Sequence, residues 1–221
     1  MNVCMIPVRM GSERLAKKNY LKVGDVTVLE LAIRKAKKAD VFDSIVLNTD
    51  DPGLEEVADR FGVDFYLRSE ELANSTATSD QLVLDFFDHC QASHVFWLNT
   101  VSPLQTVEDI VAFFKVSQDS SWSSGVSASN ALVHSFFDSK PLNFDWGGGF
   151  ARTQDLKPVQ QLNYAMMGWH RSMIERLALG HLFDLKTTIL QSSRWSSFLL
   201  KNEEDLAIIR ALMSIAPDQG K

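Results

Sequence analysis

The sequence predicts an α/β protein: a three-layer sandwich in which helices cover both faces of a mostly parallel sheet. Apolar runs of strand length alternate with longer runs whose apolar residues recur every three or four positions, an order that needs crossover connections and hence parallel pairing. Helix-start signals head several of the longer runs, and 221 residues are enough to bury one core without a disulfide or metal staple. One domain over 1–221 is expected, with an excursion from the sheet at about 130–162.

Val3, Met5 and Ile6 carry the first strand, and Pro7 is expected to take the chain out of the sheet, because proline cannot donate to a central ladder. Thr27 and Glu30 form a capping box for a surface helix that turns Leu29, Ile33 and Ala36 inward and runs to Val41. Its Lys35, Lys37 and Lys38 sit toward a C-terminal end that favours cations. Residues 44–48 read as a strand. Asp51 as cap, Pro52 in the first turn and Gly62 past the end bracket a second helix that buries Leu54, Val57, Ala58 and Phe61. A strand at 63–67, a helix from Ser79 burying Leu82, Val83, Phe86 and Phe87, and a strand at 94–98 follow. Thr106 caps a helix whose Ile110, Phe113 and Phe114 face the sheet, and 122–127 supplies another strand.

Between Asn130 and Leu162 the period is lost among aromatics, Pro141, Pro158 and the run Gly147, Gly148, Gly149. Phe136, Phe137, Phe144, Trp146 and Phe150 are too many apolar rings for a solvated loop, so the core or a partner subunit is expected to cover them. Strands at 164–170 and 187–190, separated by a helix at 172–179 closed by Gly180, return the chain to the sheet. Residues 198–200 lead to Asn202, which with Asp205 caps a last helix carrying Leu206, Ile209, Leu212 and Met213.

The formal charge of -6, from 22 Lys and Arg against 28 Asp and Glu, argues against a protein that lives on nucleic-acid backbones. Several cations are gathered on one loop instead, which suits a small anionic ligand. Cys4 and Cys90 lack metal-ligand spacing and read as buried thiols of a reducing compartment. His89, His94, His134, His170 and His181 are scattered and do not suggest a zinc site. With no signal peptide or membrane span ahead of the first strand, a cytoplasmic protein without a membrane partner is expected. The chain has no G-x-x-x-x-G-K-(S/T) and no G-x-S-x-G, and its triple glycine lacks the flanking strand and helix of a dinucleotide fingerprint.

The stretch the rest serves is 4–19, C-M-I-P-V-R-M-G-S-E-R-L-A-K-K-N, where an apolar strand runs into a turn bearing Arg9, Arg14, Lys17 and Lys18. Gly11 lets the backbone approach a ligand closely and Ser12 adds a hydroxyl and an amide, the combination of fixed charge and free donors that a polyphosphate requires. A solvated basic loop is the plain alternative. Position after the first strand favours function, since ligands of such sheets bind at the carboxyl ends of strands.

This segment resembles the opening signature of the sugar-acid cytidylyltransferases, the family of CMP-sialic acid and CMP-Kdo synthetases, approximately I-P-A-R-x-G-S-(K/T)-x-x-P-x-K-N. Three more stretches are similar in the same order: L-N-T-D-D at 47–51 to V-S-T-D-D, R-S-E-E-L-A-N-S-T-A-T-S at 68–79 to R-P-x-x-L-A-x-D-x-A-S-S, and L-N-T-V-S-P-L-Q at 98–105 to L-Q-P-T-S-P-L-R. Arg152, Gln154 and Asp155 echo an R-x-Q-D element, and Asn163 with Ala165 an N-G-A strand. The resemblance implies a nucleotide-diphospho-sugar transferase-like fold.

It also implies roles. Arg9, Ser12, Lys18 and Asn19 would hold the phosphates and ribose of CTP, with Gly11 and Arg14 in the same loop and Arg9 and Lys18 supplying the charge that catalysis needs. Ala77 and Ser79 would contact the cytosine, and Arg68 and Asn99 would complete that pocket. Without the resemblance, Ser79 reads as a helix cap, Arg68 as a surface residue and Asn99 as a strand end. The implied reaction joins CMP from CTP to a nonulosonic-type sugar acid and releases pyrophosphate, with Mg²⁺ as cofactor, in a homodimer whose excursion helps shape the sugar site.

The departures bear on substrate and metal. Glu13, Asn99 and Gln105 stand where sialic-acid members carry Lys, Gln and Arg, and Arg14 resembles the Kdo branch, so the sugar acid is left open. Family members end with D-x-D ahead of a (T/S)-x-E-D-L helix start, and those aspartates bind the metal. Here F-L-L-K-N-E-E-D-L at 198–206 puts Leu199 and Lys201 in their places, and Val101 removes the carboxylate of the Kdo branch. Glu203, Glu204 and Asp205 read as first-turn acids favoured by the helix dipole. A family member that has lost catalysis and binds a cytidine nucleotide, a sugar acid or a protein partner therefore stands beside the enzyme as a second reading.

Overall fold

The computed structural model describes residues 1–11, 15 and 18–216. Seven strands form its main sheet: β1 (Asn2–Val8), β2 (Ser44–Thr49), β3 (Asp64–Leu67), β4 (His94–Leu98), β5 (Ser124–Ala131), β6 (Val159–His170) and β7 (Thr188–Gln191). Their order is β7-β5-β6-β4-β1-β2-β3, with every neighbouring pair parallel except that β6 runs antiparallel to both β4 and β5. The helices are α1 (Val28–Ala39), α2 (Glu55–Phe61), α3 (Ser79–His89), α4 (Val107–Ser117), α5 (Ile174–Ala178) and α6 (Glu203–Leu212).

The period of two along β1 explains why both faces are covered. Cys4, Ile6 and Val8 point to one side, where Leu29 and Ile33 of α1, Ala58 of α2 and Ile110 and Phe113 of α4 meet them. Val3 and Met5 point to the other, onto Val83, Phe86 and Phe87 of α3 and Leu177 of α5. The expected three-layer sandwich is what forms. A third cluster joins Val28 and Leu31 to Leu15, Leu104, Leu200 and the Leu206 and Ile209 side of α6. Burial raises the thiol pKa of both Cys4 and Cys90, which makes them poor nucleophiles.

Local signals act where they were expected. Thr27 and Glu30 exchange the two bonds of a capping box at α1, and Asn202 and Asp205 do the same at α6. At α3 the cap is Thr78, whose N–H donates to Gln81 Oε1 at 3.0 Å, so Ser79 is the first helical residue and not the cap.

Four expectations are corrected. Pro7 does not end β1: it pairs with Asn48 and Val8 with Thr49, while the ladder to β4 stops at Met5, so proline occupies a stretch laddered on one side only. Lys35 is not on the surface. It is buried and its ammonium reaches the carbonyl of Pro103, because α1 is covered there by the turn that follows β4. Helix α1 stops at Ala39, where Asp40 turns left-handed at φ 50°. Finally, 128–131 and 159–162 pair with each other, which shortens the excursion to about 132–158 and includes a small hairpin, Phe136–Phe137 against Lys140–Pro141. That pairing rests on backbone bonds between polar segments, so no hydrophobic alternation announced it. Among the described residues no helix is long and apolar enough to cross a membrane.

At the amino end of β4, the His94 ring lies 4.8 Å from that of His170 and 5.8 Å from that of Trp122. Burial first, then His170 and the N-terminal amine, hold the His94 pKa below its ordinary value. Its protonation therefore favours the unfolded chain: the contribution is complete above the unfolded value of about 6.5 and is lost as pH falls through the lower folded value. The melting temperature should drop between about pH 7 and pH 5, and the drop should be smaller in His94→Gln.

Candidate active site

Parallel pairing brings the carboxyl ends of β1, β2 and β4 to one edge of the sheet, where Val8, Thr49 and Leu98 are followed by their loops. On the α3 side of that edge lies a cavity of about 230 Å³. Pro7 and Trp97 contribute from the strands, continuing the faces of Met5 and Val95, while Ala77, Ser79 and Leu82 come from the approach to α3 and its first turns. Arg9 and Arg68 complete it.

Arg68 is the buried member, not a surface residue, with its side chain 3% exposed. Its Nη2 donates to Val8 O at 2.8 Å and lies 3.5 Å from Asp50 Oδ1, and Nη1 donates to Asn48 Oδ1 at 3.3 Å. Burial lowers its pKa and Asp50 opposes that shift. The Nε atom is buried without a partner. Arg9, by contrast, is exposed and donates from Nη1 to Asn74 O at 3.4 Å. Asn74 Oδ1 in turn accepts the N–H groups of Thr76 and Ala77 at 2.9 and 2.8 Å, which shapes the turn that presents Ala77 and Ser79.

The loop after β1 is tied down at both ends. Met10 N donates to Asp50 Oδ1 at 3.2 Å, and the Tyr20 hydroxyl donates to the Asp51 carboxylate. Burial and Asp51 together raise the Tyr20 pKa, so the phenol stays a donor. Asn19 is buried: Thr100 Oγ1 donates to its Oδ1 at 2.7 Å, joining the loop to the end of β4. Lys18 is half-buried on the same turn, Lys18–Tyr20. Gly11 is exposed, and a Cβ there would meet open space, so the fold itself does not demand glycine at that position. Ser12 and Arg14, with Glu13 and Lys17, lie outside the described residues.

Asn99 is not part of the cavity. Its N–H donates to Ala165 O at 3.0 Å and its Oδ1 accepts from Val101 N at 3.3 Å, because the chain turns toward α1 once β4 ends. Ala165 belongs to an irregularity in β6, where the register shifts between Leu162 and Met167 and Tyr164 is left-handed at φ 53°. Asn163 stabilises that bulge, accepting from Ser127 Oγ at 2.6 Å and donating to Ser192 Oγ at 2.8 Å. Arg152 and Asp155 form an exposed ion pair at 2.7 Å.

The metal expected from the resemblance fits poorly. Leu200 N donates to Val101 O at 2.7 Å, so Val101 lies beside Leu199 and Lys201, and none of the three side chains offers an oxygen to a hard divalent ion. Asp205 is occupied by the N–H groups of Lys201 and Asn202, at 2.8 and 3.1 Å. Among the described residues no group of three or more His, Cys, Asp or Glu could hold a metal.

The residues that sequence reasoning passed over as site members are Trp97, Asn48, Thr100 and Tyr20. Trp97 was visible in principle, since it shares the Met5 and Pro7 side through the strand period, whereas Thr100 meets Asn19 across 81 residues and had no local signal.

The mostly parallel seven-stranded sheet with helices on both faces has the architecture of the nucleotide-diphospho-sugar transferase fold. The solved structure of CMP:2-keto-3-deoxy-manno-octonic acid synthetase complexed with CTP shares it, with a TM-score of 0.72 at 14% identity over 96% of this chain and 98% of that one. The chain belongs to the cytidylyltransferase family, whose model matches residues 3–142. It is 30% identical over 121 residues to the N-acylneuraminate cytidylyltransferase of Escherichia coli, a match that covers 52% of this chain and 28% of that protein. It is 23% identical to the post-translational flagellin modification protein B of Campylobacter coli over 99% of this chain and 97% of that one.

Replacing Arg68 removes the donors to Val8 and Asn48 and leaves Asp50 without its cation. With Asp50 side chain 16% exposed and the ion pair at 3.5 Å, Arg68→Ala should cost toward the low end for a buried pair, about 2 kcal/mol, measured by urea unfolding.

Proposed function

We propose that this chain is a cytidylyltransferase that joins CMP from CTP to a nonulosonic-type sugar acid and releases pyrophosphate. One observation carries the reading: Arg9 from the first motif and Arg68, Ala77 and Ser79 from the 68–79 motif line a single cavity beside the loop that holds Lys18 and Asn19. Family membership and the named activity of the Escherichia coli relative support it. The cytosine occupies the cavity, and the phosphates extend from it toward Arg9 and Lys18. The anomeric hydroxyl of the sugar acid gives up its proton to solvent and attacks the α-phosphorus, the bond to the oxygen bridging to the β-phosphate breaks, and pyrophosphate leaves with that electron pair. Arg9 and Lys18 place positive charge where the transferring phosphate and the leaving group gain negative charge. A cytoplasmic setting belongs to the same reading.

Mg²⁺ would shield the triphosphate, but positions 101, 199 and 201 do not supply its ligands, so no step here runs through it. The missing carboxylates at 199 and 201 are the one feature that points to the second reading, a protein that retains cytidine nucleotide or sugar-acid binding and has lost turnover; family membership supports the first. Calorimetry should show CTP binding, weakened about ten-fold or more by Arg9→Ala or Lys18→Ala, as expected for a lost charge-assisted contact of ~1.5–3 kcal/mol. Pyrophosphate release across a panel of nonulosonic acids and Kdo separates the two readings. Turnover with Mg²⁺ should be slow in the wild type and faster in the double variant Leu199→Asp with Lys201→Asp. Binding with no release on any sugar would establish the second reading.

A homodimer completes the proposal. Phe137, Trp146 and Phe150 are 75%, 66% and 69% exposed, while Trp146 packs edge to face on Phe136 and Phe144, and Phe150 on Phe144. Rings already ordered against one another present a contiguous apolar face, and a second copy of the chain is its occupant. Light scattering should give twice the chain mass, and Phe137→Ser with Trp146→Ser should shift it to monomer.

A further inference from the structure

We infer that Trp97 is the wall against which a planar nucleobase packs in the cavity. The inference rests on the nucleotide reading proposed above. Trp97 stands one residue before the end of β4, paired with Met5 and Met167 and turned to the α3 side. The residue is partly exposed, yet its Nε1 is buried and unpartnered. What it offers the cavity is therefore ring carbon, not a hydrogen-bond donor.

The same cavity is bordered by the guanidiniums of Arg9 and Arg68. A carbon wall and planar cations in one small space suit a flat π system, which gains from both; a bare anion gains nothing from the indole, and an aliphatic group gains nothing from the guanidiniums. The wall is also fixed. Trp169 lies behind it at 6.4 Å between ring centroids, fully buried and held by its own N–H bond to Leu182 O at 2.7 Å. At about 230 Å³ the cavity is small beside the ~300–1,000 Å³ of ordinary small-molecule sites, so a flat ring held in it lies close to the indole.

Calorimetric titration of wild type, Trp97→Phe and Trp97→Leu with CTP tests this, each protein first checked by thermal melting. Trp97→Phe keeps an aromatic ring and removes a buried unpartnered N–H, so its fold should survive. Trp97→Leu should weaken CTP about ten-fold, with Trp97→Phe between it and the wild type. A folded Trp97→Leu variant that binds CTP with wild-type affinity overturns the role of Trp97 while leaving the proposed function standing. Wild-type protein that binds no CTP at millimolar concentration overturns both.

Discussion

The carboxyl edge of the sheet depends on the buried guanidinium of Arg68. Three strands end there with carbonyls and side chains that their ladders no longer satisfy, and Arg68 meets two of these needs, at Val8 O and Asn48 Oδ1. Desolvating a guanidinium is costly, and Asp50 offsets part of that cost from 3.5 Å. The arrangement leaves a fixed positive group on the wall of a small cavity, with its Nε unsatisfied. A hydrophobic substitute would pack as well and provide none of that charge.

Asp50 also links the core of the site to the basic loop, since the same carboxylate accepts from Met10 N at the loop's start. Asp51 holds Tyr20 past the far side of the loop, and Asn19 is pinned to Thr100. The segment between is thus short and anchored at both ends on the sheet edge. Arg9 and Lys18, the described cations at its two ends, thereby stand beside that edge, where positive charge can stabilise a transferring phosphate.

The excursion leaves and re-enters the sheet at this same carboxyl edge, between Ala131 of β5 and Val159 of β6, and poses a different balance. The excursion buries its rings mainly against one another: His134 stacks on Phe150 at 4.0 Å, and Phe144 meets Phe136 edge to face at 5.3 Å. Such a cluster orders the segment without covering it. Most of the apolar area of Phe137, Trp146 and Phe150 is left at the surface, which is expensive unless something packs on it.

Much of the fold was legible residue by residue. The capping pairs Thr27 with Glu30 and Asn202 with Asp205 are local, and so is the period-two division of β1 between two helix layers; each is set by side chains within a few positions of one another. Arg9, Arg68, Ala77 and Ser79 could be named from motifs, and Leu199 and Lys201 could be seen to lack carboxylates. Tertiary structure alone decided that Asn99 turns away, that Lys35 is buried under Pro103, that Trp97 walls the cavity, and that Val101 meets Leu200. These depend on contacts across tens of residues, where the local sequence carries no record of the partner, and on backbone pairing such as 128–131 with 159–162, which any side chains can support.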